Sequence, residues 1–450
     1  MKKRLLYYVS LTLVTLLLSV CLYSKCTYSS FDSSKVYNDI TLLSSSTYSG
    51  RLPGSSENVK VGEYIQSTFI KNGTTPLNSD YKENFTLPCP VKTNTEPYLN
   101  ISKDGKTLET LKYGQDFKED MINFNKNKIT FTGADVFKVN TYTIQIQNSE
   151  GTFLLFTPDN DNLSFRSSFS SDFPYDCVVM ITSQTYGKII NAIKENCEIS
   201  LQIPFATETK TISNIVGVLE GENDALPPII LTAHYDHLGM DGNGALYGGA
   251  LDNASGISFL LELQKNIASL GTPERDIIFV ALNAEEFGLK GSEAFAISNT
   301  DKIKDAQVIN FDMVGSEGYP ITLMMPACLE NKPCNLLSEM NSLCKDNNIE
   351  TTVEYKDSSD HASFGNVGLE AVTISHSDMR FIHTPKDKIE HISTDAIDSV
   401  YNVVYEKVVN DSFSKVTIFY QSNLLLCITS GCFLLLLFIP IYKKIKKQNV

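Results

Sequence analysis

No C-x-x-C pair, internal repeat or low-complexity segment occurs in this chain of 450 residues, and no glycine fingerprint for a dinucleotide. The first absence argues against a thiol redox motif or a structural zinc site. The next two leave an ordinary globular composition, 42% hydrophobic and 20% charged. Gly242-Asn243-Gly244 lacks a third glycine at the required spacing and opens no helix, so no organic cofactor is implied. Positive charge is scarce: 38 Lys and Arg against 52 Asp and Glu give a net −14. Lys2, Lys3, Arg4 and four C-terminal lysines lie at the ends, so the region between them carries −21. An acidic body cannot neutralise phosphates, which excludes nucleic acid as a partner. Histidine is also sparse: all six residues (His234, His237, His361, His376, His383 and His391) fall in one stretch of the second half.

The length suffices for two domains, because single cores stop growing at roughly 250 to 300 residues. Both ends carry apolar runs. Leu5 to Tyr23 follows Lys2, Lys3 and Arg4, and Leu424 to Tyr442 precedes Lys443, Lys444, Lys446 and Lys447. Each is close to the ~20 residues that cross a bilayer. Basic flanks favour the cytoplasmic side. The reading is a cell-membrane protein with both termini cytoplasmic and the body extracytoplasmic. A cleaved signal peptide over residues 1–24 stays open beside a signal anchor. Cys21 follows Leu18-Ser19-Val20, but a lipobox needs a small residue where Val20 stands, which argues against lipidation. Six cysteines (Cys89, Cys177, Cys197, Cys328, Cys334, Cys344) lie well within the outside region, where disulfides are permitted and their pairing is not readable.

Between the ends, Gly50-Arg51-Leu52-Pro53-Gly54 is a punctuated loop before a helical pattern. Residues 87–208 hold short β-branched and aromatic runs such as Lys128–Thr132 and Thr152–Phe156, with one helical stretch near Gly187 to Lys194. They read as an inserted, mostly β domain. From Ile212 onward apolar strands alternate with helices: Pro228–Ala233, Ile277–Leu282, Val308–Phe311 and Ala371–Ile374 are buried-strand candidates. The expected fold is α/β, a mixed and mostly parallel sheet with helices on both faces. The expected division is 1–24 as the N-terminal segment, 37–86 with 209–411 as a discontinuous catalytic domain, 422–442 as a C-terminal transmembrane helix and 443–450 as a basic cytoplasmic tail.

In such sheets functional groups emerge at the carboxyl ends of strands. His234 follows the first of these strands, and Asp236, two residues on, can accept its other ring N–H and fix the tautomer of a ligating imidazole. His237 has no such partner in sequence and is read as non-ligating. Asp252 precedes a helix, either as an N-cap or as a rigid carboxylate able to bridge two cations. Glu285 and Glu286 sit side by side after an apolar strand, where an uncompensated pair would repel. A metal resolves that cost if one ligates while the other serves as general base. Asp312 and His383 also follow strand ends.

This ordered series resembles the co-catalytic di-zinc aminopeptidase family, typified by aminopeptidase Y and secreted bacterial leucyl aminopeptidases. Glutamate carboxypeptidase, glutaminyl cyclase and the transferrin receptor are relatives of that family. The resemblance covers residues 38–85 and 209–400 and includes Gly50–Gly54 and Ser359-Asp360-His361. Residues 87–208 are similar in position to the protease-associated or apical insert carried by many members. The resemblance implies a zinc exopeptidase fold with two Zn2+ ions. One would take His234, Asp312 and bridging Asp252, the other Glu286, His383 and the same Asp252. It further implies Glu285 as base, Asp236 orienting His234, and a peptide substrate. Cobalt and manganese remain open on ligand softness alone. Asp360 and Phe364 are expected near the substrate, with a plain helix start as the other reading of Asp360. A membrane-anchored aminopeptidase is the leading reading; a carboxypeptidase or glutaminyl cyclase on the same scaffold, or a non-catalytic receptor, are the alternatives.

Overall fold

The computed structural model describes residues 2–414 and 423–448. Met1, residue 422 of the expected C-terminal span and residues 449–450 of the basic tail lie outside the described residues. Helix α1 (Lys2–Thr27) leads to α2 (Ser33–Leu43), whose cap Asp32 accepts from the backbone N–H groups of Ser34 and Lys35. Ser55 likewise caps α3 (Ser56–Lys71), where Val61, Ile65 and Phe69, spaced four apart, form one buried stripe.

Strand β1 (Lys82–Lys92) pairs antiparallel with β11 (Phe205–Leu219) from Lys82↔Ile215 to Lys92↔Phe205. This long ribbon leaves the main sheet and carries the chain into two smaller sheets. One holds β2 (Tyr98–Lys103), β3 (Lys106–Leu111), β5 (Lys128–Phe131) and β10 (Glu198–Gln202). The other holds β4 (Phe117–Phe124), β6 (Val136–Val139), β7 (Thr143–Asn148), β8 (Gly151–Phe156) and β9 (Cys177–Ile181). Helix α4 (Ser183–Lys194) packs beside them, starting four residues before the stretch expected from the sequence.

The main sheet has eight strands in the order β1-β11-β13-β12-β14-β17-β15-β16. Its centre is β12 (Ile229–His234), β13 (Ile277–Leu282), β14 (Gln307–Phe311) and β17 (Glu370–Ser375), all parallel to their neighbours in this group. Strands β15 (Ile321–Met325) and β16 (Thr351–Tyr355) extend one edge, β15 running antiparallel to β17. The central strands read as unbroken apolar runs because both faces are covered. Leu231, Ala233, Phe279 and Phe311 join a core with α2, α3, α5 (Gly256–Ala268), α7 (Asn335–Asp346) and α9 (Thr394–Ser412). Ile230, Val280 and Leu282 face the other way, onto α6 (Lys290–Ser298) and α8 (His361–Asn366). The α/β architecture expected from the sequence is the one observed.

Among the described residues, two helices are long and apolar enough to cross a membrane: α1 over Arg4–Thr27 and α10 (Asn423–Gln448) over Asn423–Tyr442. They pack on each other, the Tyr7 hydroxyl donating to the carbonyl of Leu436 at 3.1 Å. Just after α1, the N–H of Ser29 donates to Ser269 Oγ beyond the end of α5, and Phe31 stacks on Tyr401 of α9 at 4.1 Å. The apolar helices therefore join the body at the far end of α5. Its near end opens beside Asp252, about 20 Å away along 13 residues.

Candidate metal centre

Three strand ends, the turn that opens α5 and the loop after β17 supply the cluster. His234 closes β12, and its Nε2 lies 3.6 Å from both Asp252 Oδ1 and Asp312 Oδ1. Its Nδ1 faces Asp236 Oδ1 at 3.5 Å. The Asp236 carboxylate also accepts the backbone N–H groups of Glu285 and Glu286, both at 3.2 Å. One carboxylate thus ties the loop after β12 to the paired glutamates after β13.

Asp252 stands in the turn that opens α5, and the N–H groups of Leu251 and Asp252 donate to the Asp387 carboxylate at 2.8 and 3.0 Å. Gly249 permits this turn: its φ is +54°, and a Cβ there would meet the Asp252 carbonyl oxygen at 2.1 Å and the His237 ring at 2.5 Å. Asp312 follows β14 and accepts from the Ser359 hydroxyl at 2.7 Å. His383, in the left-handed region at φ +57°, turns Nε2 to Glu286 Oε2 at 3.1 Å and Asp252 Oδ2 at 3.4 Å.

Buried Arg51 braces these loops from behind. Its guanidinium donates to the carbonyls of Leu43, Tyr235, Gly248 and Gly249 at 2.7–3.0 Å. Burial pulls its pKa down to about 10 against the pull of Asp252, Asp236 and Asp387, so it stays charged at neutral pH. The sequence showed Arg51 only as part of a punctuated loop.

The electrostatics are those of opposite charges brought together in a buried site. Burial favours the protonated form of Glu286, yet His383 and His237 outweigh it and hold the carboxyl well below its usual range. For Glu285 burial wins: with Glu286, Asp360 and Asp312 it lifts the carboxyl well above the usual range, against the attraction of His234. Burial opposes the charged forms of His234 and His383, but Glu285 next to the first and Glu286 next to the second raise both.

A metal fits these residues. Both ring nitrogens of His234, both of His237, Glu286 Oε1 and Asp312 Oδ1 are buried without a hydrogen-bond partner. Such orphaned groups are costly unless something satisfies them. Ligand atoms of His234, Glu285 and Asp312 lie within 4.8 Å of one another, as do those of His237, Asp252 and Glu286. Imidazole with carboxylate is a donor set that suits zinc.

All five ligands expected from the sequence, with Glu285 and Asp236, come together here. His237, read as non-ligating, joins them: its Nδ1 lies 2.7 Å from Glu286 Oε1, out of line for a hydrogen bond. Its partner in space stands 49 residues away, so nothing local announced it. Asp360 and Phe364, expected near the substrate, are both buried. Asp360 is fully buried at the start of α8, its carboxyl pushed up to about 7 by burial. Phe364 packs in the core 6.0 Å from Phe295. Neither lines the cavity of about 180 Å³ at the cluster, where Met313, Met324, Ile382 and Lys356 stand beside the acids. Of the remaining histidines, His361 bonds Thr373 and the Lys356 carbonyl, His376 accepts from the Gly315 N–H, and His391 stacks on Phe381.

Residues 214–408 match the family model of Peptidase family M28. Aminopeptidase YwaD of Bacillus subtilis (strain 168) is 29% identical over 238 residues, covering 50% of this chain and 50% of that protein. The Vacuolar membrane protease of Candida glabrata is 26% identical over 242 residues, 46% of this chain and 22% of that protein. The chain thus spans half or less of the length of these curated relatives. A solved zinc aminopeptidase from Bacillus subtilis, BSAP, superposes with a TM-score of 0.63 at 20% identity, over 86% of this chain and 96% of that one. The family resemblance and the mixed α/β fold read from the sequence are both borne out.

Proposed function

We propose that this chain, whose residues 214–408 match Peptidase family M28, is a membrane-anchored di-zinc aminopeptidase that removes N-terminal residues from extracytoplasmic peptides. The observation that carries the reading is the buried cluster of unpartnered imidazole nitrogens and carboxylate oxygens at the strand ends. His234, Asp312 and Asp252 would hold one ion, and Glu286, His383 and Asp252 the other, with His237 against the free oxygen of Glu286. Two such ions supply Lewis acidity to the scissile carbonyl and acidify the attacking water. Asp236 orients His234 and fixes the backbone of Glu285. Glu285 lines the cavity and takes the proton from water at a carboxylate oxygen, then returns it to the leaving amine.

The apolar helices anchor the chain with both termini on the cytoplasmic side. The vacuolar membrane protease relative and the two helices support the membrane placement, and the basic residues flanking both spans support the orientation. The test is a panel of substrates on purified, metal-analysed full-length chain: aminoacyl anilides, N-blocked peptides with a free carboxylate, and N-terminal glutaminyl peptides. Cleavage of the first set, lost to a chelator and restored by zinc, is expected. Turnover of only the second or third set would move the chain to a carboxypeptidase or a cyclase, and activity without metal would remove the mechanism. External protease should reach residues 40–410 in intact cells.

A further inference from the structure

Between β8 and β9 the inserted β unit sends a segment back to the metal cluster, and four of its residues touch two of the proposed ligands or the residue beside them. The N–H of Arg166 donates to the His383 carbonyl at 3.1 Å, and the N–H of Phe169 to the Glu286 carbonyl at 3.0 Å. The Ser168 hydroxyl donates to Glu286 Oε2 at 3.1 Å, the oxygen that faces His383. The Phe165 ring stacks on the His383 ring at 5.7 Å and 29°, and Phe169 meets Phe287 at 5.0 Å.

The segment is itself fixed at both sides. The N–H and hydroxyl of Ser167 donate to the Asp120 carboxylate of β4 at 2.8 and 2.7 Å. The fully buried Arg166 guanidinium donates to the Leu238 carbonyl in the loop after β12 at 2.6 Å and lies over the rings of Phe205 and Tyr247. A non-glycine residue in the left-handed region, as His383 is, persists only where its surroundings hold it. The Arg166 N–H and the Phe165 ring supply that hold.

We infer that residues 165–169 of the insert are a positioning part of the metal centre, acting on the ion shared by Glu286 and His383, with Ser168 aiming the Glu286 carboxylate. This rests on the two-ion reading above. Side chains that orient metal ligands typically change metal affinity about 10- to 100-fold when removed. No hydrogen bond joins the segment to His234 or Asp312, so the effect should be confined to one ion.

The experiment uses the full chain in detergent, loaded with Zn2+ and equilibrated against a graded series of chelator concentrations, with zinc per chain read by elemental analysis. The parent should carry two ions. Ser168→Ala should part with one of them at about 10- to 100-fold lower free chelator while the other follows the parent curve. Phe165→Ala should loosen one ion likewise, and Ser168→Thr, which keeps the hydroxyl, should restore the parent curve. A parent that holds fewer than two ions overturns the two-ion reading itself. Two ions in the parent, with a Ser168→Ala curve that is unchanged or shifted equally for both, overturns the role of the insert alone. Ser168 is exposed apart from its hydroxyl contact, so its truncation should leave the fold intact.

Discussion

Replacing Glu285 by glutamine separates the proposed base from the proposed ligands. Glu285 and Glu286 are adjacent, but the structure surrounds them differently. Both line the cavity, but Glu286 is enclosed by His237, His383 and the Ser168 hydroxyl, whereas Glu285 stands with His234 and Asp312. Glutamine keeps the size of the side chain and leaves the Glu285 N–H on Asp236 in place. It removes only the ability to take a proton. A positioned general base contributes about 100- to 10,000-fold in rate, or about 3 to 5 kcal/mol of barrier. Glu285→Gln should therefore lose two to four decades of kcat on an aminoacyl anilide, by that same general-base range. Its zinc content, measured on the same sample, should stay near that of the parent. Glu286→Gln should lose zinc and activity together. The assignment is refuted if Glu285→Gln strips zinc while Glu286→Gln keeps it. That outcome is a real risk, because the Glu285 carboxylate lies within 4.8 Å of ligand atoms of His234 and Asp312.

Asp252 faces His234 through one oxygen and His383 through the other, so Asp252→Asn should lower the occupancy of both ions; loss of a single ion would contradict the bridging role. Arg51→Met should cost about 3 to 5 kcal/mol in urea unfolding, since it removes a buried charge that four carbonyls and four nearby carboxylates depend on. A loss below about 1 kcal/mol, the size of an exposed ion pair, would show that the loops brace themselves. His376 is held neutral by burial, its pKa lowered from 6.5 to about 4. Between those values the unfolded chain binds a proton that the folded chain refuses, so stability falls as pH falls through that window, by up to about 3 kcal/mol at 1.36 kcal/mol per unit. Thermal melts of chelator-treated protein from pH 7 to 4 should flatten in His376→Gln, and an equally steep loss in both proteins would assign it to other groups.

The parts of the site legible in the sequence are those in which a ligand is joined covalently to the strand that presents it. Ile229–Ala233 and Ile277–Leu282 announce buried strands by unbroken apolar runs, and His234 and the paired glutamates follow them within a few residues. The two spans are legible for the same reason, since length and apolarity are local properties. Asp360 and Phe364 follow a residue that does reach the cluster, Ser359, yet at the start of α8 Phe364 turns into the core and Asp360 is buried beside the cluster without lining its cavity. Orientation at a helix start depends on how the helix packs, which a motif does not carry. Arg51 was hidden for a further reason: its acceptors are backbone carbonyls, identical in every residue, so no choice of side chain at the other end records the contact. Ser164 to Ser171 is the extreme case. The sequence singles out nothing in this serine-rich stretch between two strands of the insert, and its main-chain donors reach His383 and Glu286 because the insert folds back over strand ends more than 100 residues later in the chain.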